Sequence, residues 1–131
     1  MEYIKNDRDQ NALHFIDGSL TSKWLDGLVT VSNGAGSGPC DFGKTCTVDA
    51  TASLPGSVAT CTGACNNIRR DSNTGLMGYN GSWTLTNFKR TVQFQDVETG
   101  EEVKFIITLS WTQGSTNKSF QISQSLFNRL Q

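Results

Sequence analysis

Residues 101–127 read EEVKFIITLSWTQGSTNKSFQISQSLF. Val103, Phe105, Ile107, Leu109 and Trp111 fall on alternate positions, with Lys104, Thr108 and Ser110 between them. Ile106 alone breaks the polar series. Apolar residues at a period of two predict a β-strand with one buried face. Burial of five such side chains contributes roughly 10 kcal/mol, an upper bound before entropy. Gln113 to Asn117 supplies turn chemistry. A second strand is predicted after it, with Phe120, Ile122 and Leu126 on one face and Ser119, Gln121, Ser123 and Ser125 on the other. Gln124 falls on the apolar face, which is therefore expected to be half exposed at that point. The two strands read as an antiparallel hairpin, and the rest of the chain must cover its apolar side.

Working outward, 131 residues suit a single domain over 1–131 with a sizeable core. The formal net charge of −1 implies neither nucleic acid nor an anionic membrane as partner. Thirteen glycines, abundant Ser, Thr and Asn, and only 18% charged residues fit an extracytoplasmic β-rich surface. Cys40, Cys46, Cys61 and Cys65 lie in one Gly/Ser/Thr-rich segment, about 34–66. An even count in a loop-rich region predicts two disulfides and an oxidising compartment. Cys46 can face Cys61 across a hairpin centred on residues 54–57, with Cys40–Cys65 outside it. Cys40–Cys46 with Cys61–Cys65 is the competing arrangement. The spacing C-x5-C-x14-C-x3-C lacks the tight knuckles of an all-cysteine zinc site, so no metal is expected there.

Residues 2–17 read as a helix. Ile4, Ala12, Phe15 and Ile16 can share a stripe, Lys5 and Asp9 form an i,i+4 pair, and Gly18 is placed to end it. Residues 19–25 suggest a further helical turn, with Leu20 and Trp24 covering sheet, and Leu28–Val31 a short strand. Short strands are expected at 45–49 and 58–62, mostly loop over 66–81, and strands at 83–86 and 88–97. A meander over about 82–128 then closes the chain. The expected class is α+β, with an N-terminal helix packed on an antiparallel sheet and a disulfide-stapled loop insertion.

Several motifs invite chemistry. Gly38 to Thr45 matches GxxxxGK[ST], the phosphate-binding loop. That loop must open a helix, yet Cys46-Thr47-Val48 follows, rich in β-branched residues, so nucleotide is not expected. His14 with Asp17 lacks a nucleophile elbow and reads as an ordinary helix residue. Asp71 to Gly75 offers oxygen ligands in a turn, but no bidentate Glu follows, and Asx-turn chemistry explains it equally well. Arg69-Arg70 and Lys89-Arg90 read as solvated basic pairs. The sequons at Asn80 and Asn117 mark polar turns unless the secretory route glycosylates them. Trp24, Trp83 and Trp111 are expected in core packing. No catalytic, cofactor or metal residue is assigned, and the chain is expected to be non-catalytic.

The run Gly81 to Val92, then Val103 to Thr112, a Gly-containing turn and Phe120 to Asn128 resembles the C-terminal sheet of type IV pilin-like proteins, the bacterial minor pilins and pseudopilins. Their strand pair of the form R-x-V … V-x-V-x-V-S-W is matched by Arg90-Thr91-Val92 and by Val103 to Trp111. Their closing Leu-x-Asn is matched by Leu126-Phe127-Asn128. Residues 2–18 are similar to the soluble end of the long pilin helix. The resemblance covers about half the chain, and the segment 34–66 departs from it as an insertion.

The resemblance implies a structural subunit of a type IV pilus or type II secretion-like filament, displayed at the cell surface and anchored in the inner membrane before assembly. Its partners would be other pilin or pseudopilin subunits. The membrane would be reached through a removed N-terminal helix of about 20 apolar residues. The alternative is a secreted β-rich binding module recognising a carbohydrate or a surface partner through its stapled loops.

Overall fold

The computed structural model describes residues 1, 4–5, 25, 38–52 and 57–128. Among the described residues eight strands run in chain order: β1 Cys46–Val48, β2 Val58–Thr60, β3 Arg69–Arg70, β4 Met77–Gly78, β5 Thr84–Leu85, β6 Phe88–Glu98, β7 Glu102–Gln113 and β8 Thr116–Phe127. They form a five-stranded sheet ordered β2-β1-β6-β7-β8 and a three-stranded sheet ordered β4-β3-β5. All pairings are antiparallel.

The predicted hairpin forms over its whole length. Val103 faces Leu126 and Gln113 faces Thr116, so a two-residue loop, Gly114-Ser115, joins β7 to β8. Gly114 has φ +62°, the left-handed setting that matches a two-residue loop to strand twist. Between β6 and β7, Glu101 N–H donates to the Glu98 carbonyl at 2.9 Å. Gly100 there has φ +80°.

Two sequence expectations are corrected. The class is not α+β: the described residues are all-β, and among them no N-terminal helix packs on a sheet. Residues 2–17 lie outside the description except Ile4 and Lys5, where Lys5 N–H donates to the Met1 carbonyl at 3.2 Å. The expected elements at 19–25 and 28–31 also lie outside it, apart from Leu25. The Cys-rich segment is not an insertion. Its strand β1 joins β6 through Cys46 opposite Val92, so it belongs to the main sheet. It also supplies the cover expected of a helix, because Cys40, Cys46, Val48 and Val58 pack with Ile4 and Leu25 over Val92, Phe94, Val103, Phe105 and Leu126.

Residues 66–81 are mostly loop, as expected, apart from β3 and β4. Each is two residues long, too short to show a period of two. Asp49 ties this small sheet to the large one. Its Oδ1 accepts from Thr51 N–H at 2.9 Å and from the Thr51 hydroxyl at 2.6 Å. Its Oδ2 accepts from Tyr79 N–H at 3.1 Å. The approach is close enough that a Cβ on Gly78 would lie 2.8 Å from Asp49 Oδ1 and 2.7 Å from the Thr51 hydroxyl oxygen. Only glycine fits there without displacing the carboxylate.

Both disulfides are local: Cys40–Cys46 and Cys61–Cys65, with Cα–Cα distances of 5.3 and 5.0 Å. Register decides this. Cys46 lies opposite Thr60, so Cys61 is one residue past the partner position. Successive side chains in a strand point to opposite faces, and a shift of one places Cys61 away from Cys46.

Candidate functional site

The alternation in β6, β7 and β8 places Phe88, Arg90, Val92 and Phe94 on one face with Trp111, Leu109, Ile107 and Phe105, and with Phe120 and Ile122 beyond them. This apolar face has two halves. In the first, Val92, Phe94, Val103, Phe105 and Leu126 are buried. In the second, Phe88 and Trp111 lie with ring centroids 6.0 Å apart, and Trp111 and Phe120 meet edge-on at 6.2 Å. Phe120 is 48% exposed and Ile122 45%. Gln124 is half-buried, as expected, but the larger exposure lies further along the strand. The face is closed at Phe105 and Leu126, 0% and 1% exposed, and open around Phe120. Trp111, expected in the core, sits half-buried in the open half.

Arg90 marks the boundary between the halves. Its guanidinium Nη2 donates to the Val48 carbonyl at 2.7 Å, and its own carbonyl accepts from the Tyr79 hydroxyl at 3.4 Å. Burial raises the Tyr79 phenol above its ordinary value. Asp49 pushes the same way, while Arg90 opposes them. A cavity of about 360 Å³ lies beside this boundary, lined by Met1, Ile4, Val48, Val92, Arg90 and Ile107 among others.

The opposite face of the same strands is polar. Lys89, Ser110 and Ser119 stand in one cross-strand row, and Thr112 and Asn117 in the next. Asn87 adjoins that second row through its Nδ2, which donates to the Thr112 carbonyl at 2.7 Å. Asn67 reaches the same place with its Nδ2 donating to the Thr86 carbonyl at 3.0 Å. These residues line an open cleft of about 410 Å³ together with Trp111 and Lys118, which the register pairs with each other on the apolar face.

The motifs noted in the sequence find structural uses. Gly38 to Thr45 is a turn closed by Cys40–Cys46 and running into β1, with Lys44 Nζ 3.8 Å from Asp41 and 3.4 Å from the Gly38 carbonyl. Within 71–75, Asp71 Oδ1 accepts from Asn73 N–H at 2.9 Å and Oδ2 from the Thr74 hydroxyl at 2.6 Å, the Asx-turn reading. The Thr74 hydroxyl and then the Asn73 amide hold the Asp71 carboxyl below its ordinary value. Asn80 Oδ1 accepts from both the amide and the hydroxyl of Ser82. The basic pairs were misjudged in part. Arg69 donates to the Trp83 carbonyl at 2.9 Å, and Arg90 to Val48, so one member of each pair holds the fold. His14, Asp17 and Trp24 lie outside the described residues. Among the described residues, no group of three or more His, Cys, Asp or Glu is placed to hold a metal ion.

Sequence reasoning missed Asp49, the Arg90 boundary and the polar cleft. The alternation that found the apolar face also defined the polar one. Only the approach of Asn67 from a distant loop required the structure. Comparisons with protein-family models, curated proteins and solved structures give no match. The two disulfides suggest an extracellular or otherwise oxidising location.

Proposed function

We propose that this chain is a non-catalytic structural subunit of a surface assembly, making its contacts through the open half of the β6–β8 face. One observation carries the reading: an apolar row that includes Trp111, Phe120 and Ile122 continues out of the core and remains uncovered by the described residues. Contiguous exposed apolar surface of this kind is costly to a free monomer and marks an interaction site. It adjoins β8, twelve residues long and an edge strand among the described residues. Edge strands are commonly blunted by proline, charge or bulges. β8 has no proline, and Lys118 is its only charged residue.

The finer reading is a minor pilin or pseudopilin of a type IV pilus or type II secretion-like filament, with other subunits as partners and an inner-membrane anchor before assembly. It rests on the resemblance carried by residues 81–128.

The test expresses the native protein in its own envelope and shears the surface filaments. The wild-type chain is expected in the sheared fraction. Phe120→Lys with Ile122→Lys is expected to be absent from it, while unfolding at the same temperature and keeping both disulfides. Recovery of wild type only as free monomer would overturn the assembly reading. N-terminal analysis of the mature protein separates the finer claim. A processed end followed by about 20 apolar residues supports a pilin-like subunit. A conventional signal peptide removes that reading and leaves the assembly reading standing.

A further inference from the structure

Resting on the assembly reading above, we infer that the open half of the apolar face receives the acidic β6–β7 turn of a second copy of this chain, so that copies join head to tail. At one end of the long strands, two successive cross-strand rows make the open patch. They are Phe88, Trp111 and Lys118, then Arg90, Leu109 and Phe120. The rows mix aromatic rings with two cations and contain no carboxylate. Lys118 is exposed and has no ion-pair partner among the described residues. A partner complementary to this patch brings apolar groups and negative charge together.

The chain itself carries such a surface at the other end of the same strands. Residues 96–102, Asp-Val-Glu-Thr-Gly-Glu-Glu, hold four carboxylates and no lysine or arginine. Glu98 lies opposite Glu102, and Glu102 opposite Phe127. Like charges directly opposite each other across strands are destabilising, and a cation brought in from outside relieves them. Glu98, Glu101 and Glu102 have no ion-pair partner among the described residues. Val97 and Phe127, each more than half exposed, supply the apolar part. The turn is also held in place before any docking. Asn128 N–H donates to the Glu101 carbonyl at 2.8 Å, and its Nδ2 to the Gly100 carbonyl at 2.9 Å. Groups fixed before binding lose less freedom when a partner arrives. The patch and the turn lie at opposite ends of β7, whose twelve residues span roughly 35–40 Å, so one copy cannot join its own two surfaces. Contact between unlike surfaces repeats, because every docked copy still presents a free patch at one end or a free turn at the other. A two-fold pairing of the patch with itself would instead bring Arg90 and Lys118 of both copies together with no carboxylate between them, and like charges across an interface are costly.

The test uses the whole chain with both disulfides intact, followed by sedimentation and by amide chemical shifts up to millimolar concentration. The average mass is expected to rise beyond that of a dimer, with shifts at Glu98 and Glu102 and at Trp111 and Lys118. Association should weaken about tenfold between about 0.1 and 1 M salt, as the screening length falls from about 10 to about 3 Å. Glu98→Gln with Glu102→Gln disables the turn, and Lys118→Glu with Phe120→Glu disables the patch. Where each variant alone is monomeric, an equal mixture should form dimers and nothing larger, because one intact patch meets one intact turn. Those dimers also show that both variants fold. A wild type that stays monomeric at every concentration would overturn the proposal, as would one that stops at a dimer or a mixture that forms none. In sheared filaments, Glu98→Gln with Glu102→Gln should fall about tenfold. Its full retention, with Phe120→Lys and Ile122→Lys lost, would overturn the proposal and leave the assembly reading standing. Retention of both would remove the assembly reading and the proposal with it.

Discussion

One face of one sheet is used in two opposite ways. Around Phe105 the β6–β8 face is sealed by β1, β2 and two disulfide cysteines, with Ile4 and Leu25. Around Phe120 the same alternation continues with nothing over it among the described residues. Both halves carry phenylalanines and aliphatics, and the open half adds Trp111 with Lys118 opposite it. What differs is whether another part of the chain pairs alongside. β1 meets β6 only at Cys46–Val92, and the cover ends there. An apolar period therefore marks a face that tends to be covered, and only the topology tells whether the cover comes from the chain itself.

Paired substitutions make the contrast quantitative. Phe105 is 0% exposed and stacks 6.2 Å from Phe94. Phe105→Ala should cost about 3–5 kcal/mol in denaturant unfolding, as large-to-small changes in a packed core do. Phe120→Ala should cost about 1 kcal/mol or less, since a half-exposed ring leaves no closed cavity. A comparable loss at both sites would mean that the second half is covered after all.

Gly78→Ala is the next largest effect. It forces the Asp49 carboxylate or Thr51 to move, at about 1–3 kcal/mol for overpacking. The loss should fall on the covered half alone. Hydrogen exchange should quicken at Tyr79 and Thr51, whose amides Asp49 holds, and remain unchanged at Ser119 and Gln121.

The smallest effect is a pH dependence at the boundary. Burial raises the Tyr79 phenol above its ordinary value. The folded state therefore holds this proton more tightly than the unfolded one. The contribution is fully present below the unfolded value and is lost as pH rises through the folded one. Tyr79→Phe should flatten the decline in unfolding temperature measured above about pH 10.

The long strands were legible because their signal is local. Eleven or twelve residues carry enough alternation to fix both the type and the face, and Gly100 and Gly114 mark the turns between them. The small sheet was not legible, because two-residue strands have no period and are held by Asp49 and Arg69 from outside. The fold class failed at the N-terminus, where a weak apolar stripe suggested a helix as the cover. The described cover comes instead from β-branched residues and cysteines in a segment whose glycines and serines read as loop. In the polar cleft, the row through Lys89, Ser110 and Ser119 follows from alternation and register. The approach of Asn67 does not, since it depends on how the distant loop folds back. The cysteine pairing turned on one residue of register, which composition does not carry.

That register has a consequence for how the chain reaches its native state. The native disulfides join cysteines 6 and 4 positions apart. A Cys46–Cys61 bond would span 15. Closing the shorter loop rather than the longer one saves about 1 kcal/mol of chain entropy, so random encounters in the unfolded polypeptide already favour the native bonds. Oxidation can thus finish before the long-range pairing of β1 with β6 begins. A newly exported chain has little need of a disulfide isomerase, and its slow step is expected to be the assembly of the sheet.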